Sequence, residues 1–123
     1  MNYIMIIDDS VTIRQSVELV IKCLGVSIKH AQNGMEALNI IKNIRESGDD
    51  VSLCITDVNM PVMDGITFVK EFRKVDRFTP VLMLTTEAGE SSIKAGKEVG
   101  ASGWIVKPFK TDQLIDAVKK FVR

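Results

Sequence analysis

Apolar runs of strand length and apolar stripes of helical period alternate five times along this chain, with no linker, repeat or low-complexity stretch between them. Such an alternation is a βα repeat, which packs helices against a parallel sheet. The helical stripes are Ile13, Val17, Val20, Ile21 and Leu24, closed by Gly25, then Ala37, Leu38, Ile41 and Ile44 between about Gly34 and Gly48. A third follows Gly65 with Ile66, Val69 and Phe72, and the last holds Leu114, Ile115, Val118, Phe121 and Val122. Their spacing near 3.6 residues marks core-facing sides. The segment from Glu90 to Gly100 is weaker, because its large apolar residues are Ile93 and Val99 and Gly96 interrupts it. A glycine inside a helix costs roughly 1 kcal/mol relative to alanine, so this element is predicted to be the least firmly packed.

The strands sort by pattern. Tyr3 to Ile7, Leu53 to Ile55 and Val81 to Leu84 are nearly continuous apolar runs, as in strands covered on both faces. Val26 to His30 alternates and suits an edge; Trp104 to Val106 is short, is stopped by Pro108 and suits the other edge. The fold predicted is a flavodoxin-like (βα)5 three-layer sandwich, with a parallel five-stranded sheet of order 2-1-3-4-5. In such sheets ligands bind beyond the carboxyl ends of the strands where the order reverses, between strands one and three.

The 123 residues are predicted to form one domain with a real core, residues 1–123. Sixteen basic and sixteen acidic residues give zero net charge, which argues against a nucleic-acid or anionic-membrane surface. No segment reaches the ~20 apolar residues of a membrane span, and because the sequence opens in a strand pattern no signal peptide is expected. A cytoplasmic location is expected. Cys23 and Cys54 lie in apolar stretches without metal-ligand spacing, and both are expected to be buried thiols in a reducing compartment.

The polar residues that end the strands carry the chemistry. Asp8 and Asp9 end the first run, Asp57 the third, Thr85 the fourth and Lys107 the fifth. Parallel strands bring all of them to one sheet edge. Taken singly, Asp9 or Ser10 is explained as a helix cap and Asp57 as a turn residue before Asn59-Met60-Pro61. Packed together, like-charged carboxylates repel unless a cation compensates. The ion favoured is Mg²⁺, which takes oxygen ligands from one or two carboxylates together with phosphate oxygens. His30, the single histidine, lies on the alternating strand and reads as a surface residue. A carboxylate beside a cation can act as a nucleophile and form an acyl phosphate, and the Thr85 hydroxyl can donate to a phosphoryl oxygen.

These residues resemble the receiver domain of two-component response regulators, and within it the CheY-type chemotaxis regulators. The resemblance covers essentially the whole chain. It rests on Asp8-Asp9-Ser10, Asp57-Val58-Asn59-Met60-Pro61 with Asp64-Gly65, Thr85-Thr86-Glu87 and Lys107-Pro108-Phe109. The resemblance implies that Asp57 is the phosphoacceptor. It implies that Asp9, Asp57 and the Asn59 carbonyl ligate Mg²⁺, with Asp8 supporting the ion through water. Lys107 then pairs with the phosphoryl group, Thr85 is the switch hydroxyl, and the Lys107-Pro108 bond is cis. Asn59 and Glu87 flank the water path that tunes hydrolysis. Thr86 stands where many receivers carry Ala or Gly, and its β-branched side chain is expected to crowd the path to Asp57. Trp104 stands where many carry Tyr, Phe or His. As an aromatic whose rotamer follows Thr85, it would lack a hydroxyl for a hydrogen-bonded switch; as a plain strand residue, it covers the core edge.

The function implied is a monomeric phosphorylation-activated switch, not an enzyme, that assists its own phosphorylation and slow dephosphorylation. The partners implied are a CheA-like histidine kinase, a protein target such as a flagellar switch protein, and a phosphatase. Output is expected through the fourth helix, fifth strand and fifth helix. A phosphorelay intermediate or phosphate sink is the alternative within the family. An aspartate-nucleophile Mg²⁺ phosphatase is the rival enzyme, but it needs a second aspartate where Asn59 stands. A flavin-binding module would need a phosphate loop where Asp8 and Asp9 lie, and these repel phosphate.

Overall fold

The computed structural model describes residues 1–86 and 90–122. Its elements are β1 (Asn2–Ile7), α1 (Val11–Ile21), β2 (Ser27–Ala31), α2 (Gly34–Glu46), β3 (Asp50–Thr56), α3 (Gly65–Phe72), β4 (Val81–Thr85), α4 (Glu90–Val99), β5 (Gly103–Val106) and α5 (Thr111–Phe121). The strands pair in parallel in the expected order β2-β1-β3-β4-β5, with β2 and β5 at the edges. Successive β1 side chains enter opposite cores. Ile4 and Ile6 pack with Val17, Ile21, Leu114 and Val118 of α1 and α5, whereas Met5 and Ile7 pack with Ala37, Ile41, Phe68 and Phe72 of α2 and α3. The sheet is therefore the middle of three layers.

Local chemistry sets the helix ends. Ser10, Asn33 and Asp64 precede α1, α2 and α3, and their side chains accept from the backbone N–H groups of Ile13, Glu36 and Thr67. Each satisfies one of the donors that a helix start leaves open. After α1, a 3₁₀ turn (Lys22–Leu24) ends at Gly25, whose φ of 70° is costly for a residue with a Cβ.

Three details differ from the sequence reading. β3 starts at Asp50, earlier than its apolar run, and its pairing with β1 skips from Val51 to Leu53. The extra residue, Ser52, is a bulge that turns Val51 and Leu53 to opposite cores and so breaks the alternation a strand would show. In α3 the buried stripe includes Phe68, which stacks on Phe72 at 5.5 Å, while Ile66 is only half-buried. Cys23 is exposed, not buried: it lies two residues beyond buried Ile21, on the opposite side of the helical turn. Cys54 is buried as expected, and burial pushes its thiol up to about 12. His30 is half-buried on β2, with Nε2 2.6 Å from Glu18 Oε1.

At the amino end of the sheet Asp76 organises the turn before β4. It accepts from the backbone of Phe78 and Thr79 (2.8 Å each), from the Thr79 hydroxyl (2.6 Å) and from the Arg45 guanidinium. Arg73 donates to the carbonyls of Asp76, Thr79 and Gly100, joining that turn to the end of α4. The weak packing expected of α4 is visible: Ile93 and Val99 are half-buried, and Gly96 is its buried position among the described side chains. No helix among the described residues is long and apolar enough to cross a membrane.

Candidate functional site

Each strand hands its site residue over through one more rung of the ladder. The Asp8 N–H donates to the Ala31 carbonyl at 3.1 Å, Asp57 N–H to Ile7 at 3.0 Å and Lys107 N–H to Thr85 at 2.8 Å. Their side chains thereby inherit the register of the sheet. Asp8, Asp9 and Asp57 offer carboxylate oxygens that all lie within 4.8 Å of one another. Lys107 reaches in from the end of β5, with Nζ 2.9 Å from Asp8 Oδ2 and 3.4 Å from Asp57 Oδ2. The side chains of Asp8, Asp57 and Lys107 are 5%, 12% and 12% exposed, so these charges interact with little water between them. Asp9 is exposed and opens the cluster to solvent.

Three carboxylates against one ammonium leave an excess of negative charge. The donors are all oxygens, the set that suits a hard divalent cation, and the residues can hold a metal ion. Part of the carboxylate capacity is already used: Asp8 Oδ1 accepts from the Ser10 N–H (2.9 Å), and Asp57 Oδ1 from the Val58 N–H (2.7 Å). The other oxygen of each, Oδ2, faces Lys107, and Asp9 lines an open cleft beside the cluster together with Asn59, Met60, Pro61 and Asp64.

The loop from Asn59 to Asp64 walls that cleft and is fastened at both ends. Gly65, the first residue of α3, donates to the Val58 carbonyl at 2.8 Å. A Cβ on Gly65 would lie 1.9 Å from the Asp57 carbonyl oxygen, so only glycine permits this approach. Farther out, the Met63 N–H donates to the Pro61 carbonyl (2.7 Å) across Val62, whose φ of 68° is strained for a β-branched residue. Met63 in turn accepts from the Gly34 N–H at 3.1 Å, which docks the loop on α2.

The structure thus brings Asp8, Asp9, Asp57 and Lys107 together, with Asn59 on the cleft rim. Thr85 is fully buried at the end of β4, and Thr86 is exposed beside it. Glu87 lies outside the described residues. Trp104 is half-buried on β5, against the core shared with α3 and α4. The Lys107-Pro108 bond is cis. Sequence reasoning missed Arg14, whose Nη1 donates to the Asp8 carbonyl at 2.5 Å and sets a second cation behind the cluster. Its signal was present: Arg14 falls three residues before Val17, a basic residue on the inward stripe of α1.

The model of the response regulator receiver domain matches residues 4–119. Chemotaxis protein CheY1 of Helicobacter pylori is 34% identical over 109 residues, 86% of this chain and 85% of CheY1. Sensor histidine kinase CheAY of the same organism is 33% identical over 123 residues. The chain spans 15% of that protein and about half of other longer relatives it matches. Among solved structures, chemotaxis protein CheY4 of Vibrio cholerae superposes with a TM-score of 0.88 at 40% identity, covering 99% of each chain. Matched by that family over residues 4–119 and 34% identical to CheY1 over most of both chains, this chain belongs to the response regulator receiver domain family of two-component signalling.

Proposed function

We propose that this domain is a chemotaxis-type switch that receives a phosphoryl group on Asp57 from a histidine kinase, with Mg²⁺ as cofactor. The observation that carries the reading is the cluster itself: three carboxylates within 4.8 Å and one lysine 3.4 Å from Asp57. Asp57 is the carboxylate that shares Lys107 with Asp8 and lies next to the cleft-lining loop. Its Oδ2, the oxygen not bonded to the Val58 N–H, attacks phosphorus; an O–P bond forms as the P–N bond to the donor imidazole breaks, and the leaving imidazole takes up a proton from solvent. Asp9, Asp57 and the Asn59 carbonyl would hold Mg²⁺, with Asp8 supporting it, and the ion would supply positive charge to offset the phosphoryl oxygens. Lys107 is positioned to transfer its ion pair from Asp57 to the new phosphoryl group.

Phosphorylation adds roughly −1.5 to −2 charge at neutral pH. Thr85, at the end of β4, donates its hydroxyl to a phosphoryl oxygen. Trp104 and the lightly packed α4 then change position, biasing an equilibrium between two arrangements. The face of α4, β5 and α5 is the output surface, where a partner can bury Trp104 next to Lys119 and Lys120. The partner is a protein, since the chain carries no net positive charge. The similarity to CheY1 and CheY4 favours a chemotaxis role, with a CheA-like kinase upstream and a flagellar switch protein as target. The domain is a phosphoacceptor that assists its own turnover, not an enzyme acting on other substrates.

Beryllofluoride, a phosphoryl mimic, tests this. With Mg²⁺ it should occupy the site, giving bound fluorine resonances and amide shifts that spread from Asp57 to residues 90–121. Occupancy without any divalent ion, or in Asp57→Asn, would reject the site. Shifts that stay within the Asp57 pocket would reject the output face.

A further inference from the structure

Gly96 is the buried position of α4 among its described side chains, and it faces the indole of Trp104 on β5. A methyl group on Gly96 would lie 2.6 Å from Cζ3 and 3.3 Å from Cε3 of that ring, and 3.6 Å from Cδ1 of Ile66. The six-membered edge of the indole therefore fills the space where any other residue would carry its Cβ. The segment that ends α4 is tied to other elements by two hydrogen bonds, Arg73 Nε to Gly100 O (3.1 Å) and Ser102 N–H to Val81 O (2.8 Å).

We infer that Gly96 is the positioning residue for Trp104, a side-chain-free slot on α4 that admits the indole and ties its rotamer to the placement of the helix. The inference rests on the reading of Trp104 as part of the switch. Tyrosine and phenylalanine lack the second ring, so a small side chain on α4 would leave them room; tryptophan at this position requires the glycine. The helix-propensity penalty of Gly96 is thus tied to its role in ring placement. A side chain at position 96 expels the ring outward and holds the domain in one arrangement, leaving the chemistry at Asp57 intact.

A double-mutant cycle reads the steric pair directly. In an unobstructed helix Gly→Ala raises the folded-to-unfolded ratio about fivefold. Here Gly96→Ala should lower it about tenfold in the Trp104 background, as overpacking does, and raise it in Trp104→Ala. Should Gly96→Ala fail to fold, Gly96→Ala with Trp104→Ala should restore folding. Trp104 is the sole tryptophan, so its fluorescence reports the ring alone. Gly96→Ala should red-shift its emission, increase iodide quenching and remove most of the change caused by beryllofluoride. Bound-fluoride resonances at Asp57 should persist. Equal effects of Gly96→Ala in both backgrounds, with emission unchanged, would overturn the inference. If beryllofluoride leaves Trp104 emission of the wild type unaltered, the switch reading fails, while the cycle still decides the slot.

Discussion

Replacing Asp57 by asparagine removes one charge and keeps the shape, including an oxygen for the Val58 N–H. In the folded protein Asp57 meets two carboxylates within 4.8 Å and one ammonium at 3.4 Å. At an effective dielectric constant of about 20, each repulsion is worth roughly 3.5 kcal/mol and the attraction roughly 5 kcal/mol. The two repulsions outweigh the one attraction by about 2 kcal/mol. Exposure of Asp9 and screening by salt reduce that to about 1 kcal/mol. Without divalent ions, Asp57→Asn should therefore be more stable than wild type by about 1 kcal/mol, despite losing an ion pair. Mg²⁺ at a hundred times its dissociation constant should then stabilise the wild type by about 2.7 kcal/mol, and the variant by less. Urea unfolding at low ionic strength, first with a chelator and then with Mg²⁺, measures both. An asparagine variant that unfolds at lower urea than wild type in chelator would refute the net repulsion. Equal stabilisation of both proteins by Mg²⁺ would refute Asp57 as a ligand.

Thr86→Ala should speed phosphorylation by small donors such as acetyl phosphate without altering Mg²⁺ affinity; an unchanged rate would show that Thr86 does not crowd the cleft. Gly65→Ala should cost about 3 kcal/mol and weaken beryllofluoride binding, because the new Cβ meets the Asp57 carbonyl; native stability and binding would contradict that contact. Asp76 is a pH probe at the far end of the sheet. Burial works to raise its carboxyl, but hydrogen bonds from Thr79, Arg45 and Phe78 outweigh burial and hold it well below the ordinary range. Its contribution is complete above about pH 4, the ordinary carboxyl value, and is lost as pH falls toward the lowered one. Asp76→Asn should cost roughly 2 kcal/mol at pH 7, with the deficit shrinking below pH 4 in urea titrations; a deficit constant with pH would oppose this.

The architecture was legible because period and composition agreed at nearly every element. Continuous apolar runs belong to the central strands and the alternating and short runs to the edges, which fits the 2-1-3-4-5 order, and parallel strands bring Asp8, Asp9, Asp57 and Lys107 to one sheet edge. What escaped detection depended on contacts between distant residues. The Ser52 bulge is a matter of pairing with β1, and one strand's sequence does not reveal where its neighbour skips a residue. Cys23 belongs to an apolar stretch but follows a change from α to 3₁₀ geometry that turns it to solvent. Gly65 and Gly96 read as a helix start and a helix defect. Their reasons, the Asp57 carbonyl and the Trp104 ring, lie on other elements.

The central claim is that phosphoryl transfer to this domain ends on the Asp57 carboxylate and needs a divalent cation. It is tested most directly by incubating the protein with acetyl phosphate and Mg²⁺, trapping the product with borohydride and mapping the modified residue by mass spectrometry. An acyl phosphate is reduced to an alcohol, so homoserine should appear at position 57 in the wild type. None should appear with a chelator or in Asp57→Asn. Homoserine at position 8 or 9, or undiminished phosphoryl incorporation in Asp57→Asn, would contradict the account.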